Sequence, residues 1–416
     1  MKATKLTAVA SVLAMTIAAC GSDDGGSAEP ASTDGDTTMD TTMDSEMDSE
    51  TTDDSTMDTT MDSEMTGDTT ADSAMAGGGE CPSELVIQTD WFPELEHGGT
   101  YQLIGPDGTA DKDTVSYSGP VQPQYAVGGL ETITIRTVNF DKSNSSVLAD
   151  GDADMAYITT SDIIRDSGAV PLVAIAKTLD KDPQMVMWDP EQNEVSSPTD
   201  IAATGAQVLH FPGTSYIDYM ISEGMMTEDQ SNPSYDGSDG AWVAAGGDFF
   251  QQGFATNEVY KYENDIAWKD GAPADVEFYT VGDLGFDNYP AAITMLESRM
   301  NELDGCLTEL VPMMQQAWID FLADPKPITD AMISINETHD GFWSLSEGLN
   351  EAGLELVESE EFAVNSPDGT YCSFDEERVQ GLYDILAPIY DAQGTSVADG
   401  IDGIYTNEYC ADAPGR

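Results

Sequence analysis

The sequence predicts an α/β protein built on mostly parallel sheets. Short, nearly continuous apolar runs such as Met155-Ala156-Tyr157-Ile158 and Leu172-Val173-Ala174-Ile175-Ala176 have the pattern of strands covered on both faces. Longer segments with apolar residues at helical spacing lie between such runs, and strands alternating with helices define this class. Residues 81–416 are long enough for two lobes or domains.

Residues 1–80 read as a leader and a spacer. Met1-Lys2-Ala3-Thr4-Lys5 is a short basic start, and Leu6 to Ile17 is an apolar stretch. It is shorter than the roughly 20 residues that a membrane-spanning helix needs and fits the core of a signal peptide. Ile17-Ala18-Ala19-Cys20 resembles a bacterial lipobox. That implies cleavage of residues 1–19, a diacylglycerol on the Cys20 sulfur and attachment to a membrane surface through lipid. Residues 20–80 are expected to form a disordered acidic tether. From residue 21 to 80 there is no Lys, Arg, aromatic, Leu, Ile or Val, and Thr37-Thr38-Met39-Asp40 begins a four-residue repeat. Such a chain buries too little apolar surface to offset its ordering entropy, and its like charges extend it.

The folded span opens on Leu85-Val86-Ile87-Gln88-Thr89, a strand ending at Asp90-Trp91-Phe92-Pro93. Ile133 to Val138 is a second strand, the two buried runs follow, and Gln207 to His210 and Val276 to Tyr279 add two more. Serines at the cap position open a helix that ends at Ala149. Thr214-Ser215 precede a helix with Tyr216, Ile217, Met220 and Ile221 on one face. Leu307 to Leu322 carries Leu310, Val311, Met314, Ala317, Trp318 and Phe321 at helical spacing, and about Asp375 to Tyr390 reads the same way. Gly105 to Leu130, rich in Gly, Pro and polar residues, reads as a lid or a plain surface loop.

Charge narrows the function classes. The chain has 78 Asp and Glu against 14 Lys and Arg. Nucleic-acid binding needs a basic footprint and is excluded; the acidity itself is a solubility trait. No Gly-x-Ser-x-Gly, phosphate-binding Gly-rich loop or His-Glu-x-x-His is present. Asp150, Asp152 and Asp154 alternate like a calcium loop, but Met155 stands where Gly is required and Ser161 where Glu is, so they read as a turn. Cys81, Cys306, Cys372 and Cys410 form an even set suited to an oxidising compartment. Four cysteines allow three pairings, of which Cys81 with Cys306 and Cys372 with Cys410 is the expected one.

The turn after the first strand reads Asp90-Trp91-Phe92-Pro93-Glu94-Leu95-Glu96-His97-Gly98-Gly99-Thr100-Tyr101. It resembles the opening signature of the SsuA/THI5-like family of ABC-transporter substrate-binding lipoproteins, Asp-Trp-x-Pro-x-x-x-His-x-Gly-x-Tyr, with Glu94 where the family often carries Asn. Leu148 to Ala156, Ser197-Pro198-Thr199-Asp200-Ile201, Thr256-Asn257-Glu258 and Asp283 to Pro290 resemble later family segments in the same order. The resemblance covers about residues 84–330. It implies a type II periplasmic-binding-protein fold, two α/β lobes with mixed or parallel sheets joined by two crossover strands. Lobe I would comprise residues 81–178 and 284–416 and lobe II residues 179–283, with crossovers near Ala174–Leu179 and Phe278–Asp283. It also implies an extracytoplasmic receptor, acting as a monomer without cofactor, metal or catalysis, that delivers a small solute to the permease and ATPase of an ABC importer. A thiamine-pyrimidine precursor is the first expectation for that solute; flavins, sulfonates and nitrate follow. The alternatives are a pyrimidine-synthase-like enzyme of the family's eukaryotic branch and a surface sensory or interaction module that kept the fold.

The expected ligand-binding residues follow from chemistry and position. Trp91 and Tyr101 offer aromatic faces to a flat ring, and His97 offers a hydrogen bond beside them. Thr160 and Ser161, and Gly213, Thr214 and Ser215, sit at helix starts, where free N–H groups suit an anion or ring nitrogen. Glu258 and Asp283 supply carboxylates for an amino group, and Tyr289 would line the cleft from lobe I.

Overall fold

A computed structural model describes residues 81–138 and 140–416. The leader, Cys20 and the tether therefore lie outside the described residues. The strands are β1 (Glu84–Gln88), β2 (Thr109–Asp111), β3 (Ser116–Pro120), β4 (Thr132–Arg136), β5 (Met155–Ile158), β6 (Leu172–Ala176), β7 (Gln184–Trp188), β8 (Val208–Leu209), β9 (Ser231–Asn232), β10 (Phe250–Phe254), β11 (Glu277–Thr280) and β12 (Ala292–Leu296). They form two sheets, ordered β2-β3-β4-β1-β5-β12-β6 and β11-β7-β10-β8-β9. The chain completes six strands of the first sheet, builds the whole second sheet, and returns to insert β12 between β5 and β6.

Both sheets are mixed rather than mostly parallel. In the first, β4, β1 and β5 run parallel, whereas β12 is antiparallel to both of its neighbours. In the second, β9, β8 and β10 are parallel and β7 is antiparallel to β10 and β11. Helices cover the sheets, so β5 and β6 are buried along their whole length. In β4 only one face is buried, and Ile133 and Ile135 alternate with half-exposed threonines. Leu85 pairs with Ile133 and Ile87 with Ile135, which brings those apolar faces together.

The stretch 105–130 carries a hairpin rather than being wholly loop. Its β2–β3 hairpin adds antiparallel to β4 and extends the first sheet. Buried Tyr117 fixes it by donating its hydroxyl to the Gly105 carbonyl at 2.6 Å and accepting from the Gly108 N–H at 2.8 Å.

The turn after β1 is fixed by packing below it. Helix Gly98–Ile104 lies on the long helix Asp304–Ala323, and a Cβ on Gly99 would sit 2.2 Å from the Trp318 ring. Only glycine allows that approach, so tertiary packing overrides the poor helix propensity of Gly98-Gly99. The link from β6 to β7 is strapped by the C-terminal chain: Lys177 N–H donates to the Cys372 carbonyl at 3.0 Å and Asp180 N–H to Phe362 at 2.7 Å. The buried Lys177 ammonium pairs with Asp180 and donates to the Val364 carbonyl at 2.9 Å. Cys81 is bonded to Cys306, and Cys372 to Cys410. Lys142 holds Asp150 and Asp152 at 2.7 and 2.8 Å, and Arg299 holds Asp154. Those acids close a turn. Among the described residues no helix is long and apolar enough to cross a membrane.

Candidate functional site

The carboxyl ends of β1 and β5 face those of β8 and β10 across a cleft of about 380 Å³. Ligands of open α/β sheets bind at such strand ends. Asn144 ties the first pair of ends together, donating to the Tyr157 carbonyl at 2.8 Å and to the Thr89 carbonyl at 3.3 Å.

His97 shapes the loop after β1. It is fully buried; Nε2 lies 2.8 Å from Asp90 Oδ1 and Nδ1 lies 3.1 Å from the Phe92 carbonyl. Both ring nitrogens are thus occupied, and the ring clamps the loop rather than reaching into the cleft. The clamp presents Asp90, Trp91 and Glu94 to the cavity. Trp91 packs edge-on against Phe140, Phe342 and Trp343 with ring centroids 5.5 to 5.9 Å apart. Phe140 and Phe342 are the strongly exposed members of this group.

The start of helix Thr160–Asp166 is already occupied by protein groups. At helix Thr160–Asp166, Thr159 Oγ1 accepts from the Asp162 N–H, Asn288 Oδ1 from the Ser161 N–H, and the Tyr289 carbonyl from the Thr160 N–H. Arg165 donates to Asp162 at 2.7 Å and also pairs with Asp166. It reaches the Gly213 carbonyl at 3.0 Å and so bridges the two sides of the cleft. Gly213 turns the chain with φ +75°, a conformation suited to glycine, ahead of helix Ser215–Ser222. The Thr214 hydroxyl donates to the Phe211 carbonyl at 2.6 Å.

Acids dominate the rest of the lining. Glu94 and Glu258 are 4% and 7% exposed. Burial pushes the Glu94 carboxyl well up, Glu96, Asp90 and Glu258 add to the rise, and Lys261 opposes it. Burial also raises Glu258, with Lys261 again opposing. Asp182 is pushed up to about 6, mainly by burial. The Lys261 ammonium stands 3.5 Å above the Trp343 ring.

The structure gathers Trp91, Ser161, Gly213, Thr214, Ser215 and Glu258 at one cavity. The other expected residues lie off its wall. Tyr101 is buried against Tyr117 in the core. Thr160 is buried and donates to Asn288 Oδ1 at 2.8 Å. Tyr289 is sandwiched by Phe374 and the Arg378 guanidinium, with its hydroxyl accepting from the Asp375 N–H. Asp283 is exposed and closes the turn after β11 by accepting from Thr280. Sequence reasoning missed Asp90, Arg165, Asp182, Tyr216, Asn257 and Trp343 as lining residues. Asp90 and Asn257 each adjoin a residue that was singled out, whereas Trp343 comes from a distant segment that carries no local signal.

No family model and no curated relative matches the chain. Solved structures share its fold. The alkanesulfonate-binding protein SsuA from Xanthomonas axonopodis pv. citri, bound to MOPS, has a TM-score of 0.51 at 10% identity, over 79% of this chain and 99% of that one. The aliphatic sulphonate binding protein SsuA from Escherichia coli has 0.50 at 10%, over 77% and 93%. A ligand-binding component of an ABC-type import system from Staphylococcus aureus has 0.50 at 9%, over 80% and 99%. The chain has the periplasmic-binding-protein fold.

Proposed function

We propose that the protein is an extracytoplasmic receptor that captures a small solute between its lobes and presents it to the permease and ATPase of an ABC importer. The observation that carries this reading is the cleft of about 380 Å³, walled by strand ends of both sheets. Its volume suits a small molecule, and its wall combines aromatic faces with buried polar groups. Hinge closure about the links at 177–183 and 281–291 would convert contacts on both walls into preference for the closed form. On this reading residues 179–283 move against 81–178 and 284–416, and lipid on Cys20 holds the chain at the membrane. The named ligands of the matched sulfonate-binding proteins carry a sulfonate group. An aminopyrimidine, expected from the resemblance, suits Trp91 and a carboxylate.

Calorimetry and small-angle scattering test the proposal. A solute bound at one per chain, released unchanged, with a smaller radius of gyration when bound, is the expected result. Turnover of the solute, or binding without compaction, would overturn it.

A further inference from the structure

We propose that the cleft selects a cation with N–H donors, a protonated amine, guanidinium or amidinium on a flat or apolar body. This rests on the receptor reading above and names its solute class.

The charge of the cavity wall is the starting point. Among the described residues five carboxylates line it, Asp90, Glu94, Asp162, Asp182 and Glu258, against Arg165 as the one Lys or Arg. Much of that charge is already committed. Arg165 is spent on Asp162 and Asp166. Asp182 accepts from the Gln184 N–H at 2.8 Å and from Asn288 Nδ2 at 3.0 Å, and Asp90 faces His97. Glu94 and Glu258 remain. Glu94 Oε2 accepts from Asn257 Nδ2 at 3.2 Å, and Glu258 Oε2 accepts from the Phe254 N–H at 2.7 Å. Among the described residues the Oε1 atom of each takes no hydrogen bond.

A second, independent observation comes from uncharged atoms. Asn257 is fully buried at the cavity wall, and its Oδ1 has no partner among the described residues. That acceptor belongs to the same side chain that donates to Glu94. A buried acceptor without a donor is costly, so the unpartnered Asn257 Oδ1, together with two carboxylate oxygens that take no hydrogen bond among the described residues, marks a place built for a donor-rich group. An ammonium or guanidinium supplies N–H donors and positive charge together.

The neighbouring charges favour this class over an anion. Behind the wall stand Glu96, which accepts from the Thr256 hydroxyl, the ring of His97, and Lys261. Lys261 makes no ion pair among the described residues and occupies one face of Trp343. It lowers both carboxyls without bonding to either. The N–H groups that would cradle an anion at helix Thr160–Asp166 are taken by Thr159, Asn288 and Tyr289. For the body of the solute, the Tyr216 hydroxyl is a buried wall donor without a partner, and Trp91 supplies an aromatic face.

A matched set of probes tests the class: tyramine and agmatine as N–H cations, tyrosol as the neutral isostere of tyramine, and 4-hydroxyphenylacetate as the anion. They are embedded in charge-sorted metabolite pools and read by thermal shift and calorimetry on the full chain at pH 7. The expected best binder is an N–H cation, with affinity at least about tenfold weaker in Glu94→Gln and in Glu258→Gln. Because a glutamine at 258 keeps an acceptor for the Phe254 N–H, folding should survive; unchanged far-ultraviolet circular dichroism is the control, and Glu94→Asp should restore part of the affinity. A neutral or anionic best binder, weakened by Trp91→Ala, would overturn the cation class and leave the receptor reading standing. No binder in any pool would overturn both.

Discussion

Trp91, after β1, and Phe211, after β8, both line the cleft, with ring centroids 5.9 Å apart and planes inclined at 60°. One side chain therefore senses both walls. Of the six tryptophans, Trp91 is the one that is not buried. Solute capture should change tryptophan emission, and Trp91→Phe should abolish most of that change. Trp91→Ala should weaken binding by at least ~1 kcal/mol. Emission changes that persist in Trp91→Phe would place the reporter elsewhere.

His97 should act through Asp90 and the Phe92 carbonyl. His97→Ala removes the ring that contacts both, and leaving a buried polar group without its partner costs about 1–3 kcal/mol. The expected outcome is a urea midpoint lowered by that amount together with weaker solute binding, because the loop carrying Trp91 and Glu94 loses its clamp. Full affinity in a destabilised His97→Ala protein would separate the clamp from the site.

The buried acids set a pH dependence with a definite sign. Asp182 has its folded pKa raised from 3.8 to about 6, chiefly by burial, with Asp90 adding and Arg378 opposing. Glu94, Glu96 and Glu258 are raised in the same direction by burial. A raised carboxyl means that the folded state holds its proton more tightly than the unfolded chain does. Its stabilising contribution is present below the unfolded pKa and is lost as pH rises through the folded value. The melting temperature of the solute-free protein should therefore rise from pH 7 toward pH 5, and Asp182→Asn should flatten that rise. An unchanged slope in Asp182→Asn would remove Asp182 from the effect.

Two glycines on helices should respond in opposite directions to the same substitution. Gly99→Ala forces a methyl against the Trp318 ring and should cost about 1–3 kcal/mol. Gly381→Ala, in helix Glu376–Gln393, meets nothing within 4 Å and should stabilise by about 0.5–1 kcal/mol. Denaturant titration of both variants checks the pair.

The parts of the fold that could be read from sequence are those in which local pattern and tertiary environment agree. β5 and β6 are apolar throughout because helices cover both faces. The long helices announce themselves through Leu310, Met314 and Phe321 on one face, or Leu382 and Leu386 on another. β7, with sequence Gln-Met-Val-Met-Trp, has few β-branched residues and was not anticipated; its strand state comes from pairing with β10 and β11. The β2–β3 hairpin reads as loop in sequence because Gly, Pro and Ser occupy β3; Gly119 and Pro120 lie beyond the three residues of β2 and pair with β4 alone. At the site, Trp91 and Glu258 were legible as unusual residues in recognisable segments. Tyr101 and Tyr289 were misplaced on the map of the cleft because sequence marks an aromatic near strand ends without telling which way its ring turns. Trp343 could not be found, since its place beside Trp91 depends on chain closure over some 250 residues.

Cys81, the first described residue, is bonded to Cys306 near the start of helix Asp304–Ala323. Any mechanical load arriving from the preceding chain is delivered through sulfur into that helix and bypasses the ladder that β1 makes with β4 and β5. Reduction would reroute the same tension onto β1, whose far end carries Asp90 and Trp91. Oxidation at this one crosslink thus shields the loop after β1 from any pull applied at Cys81.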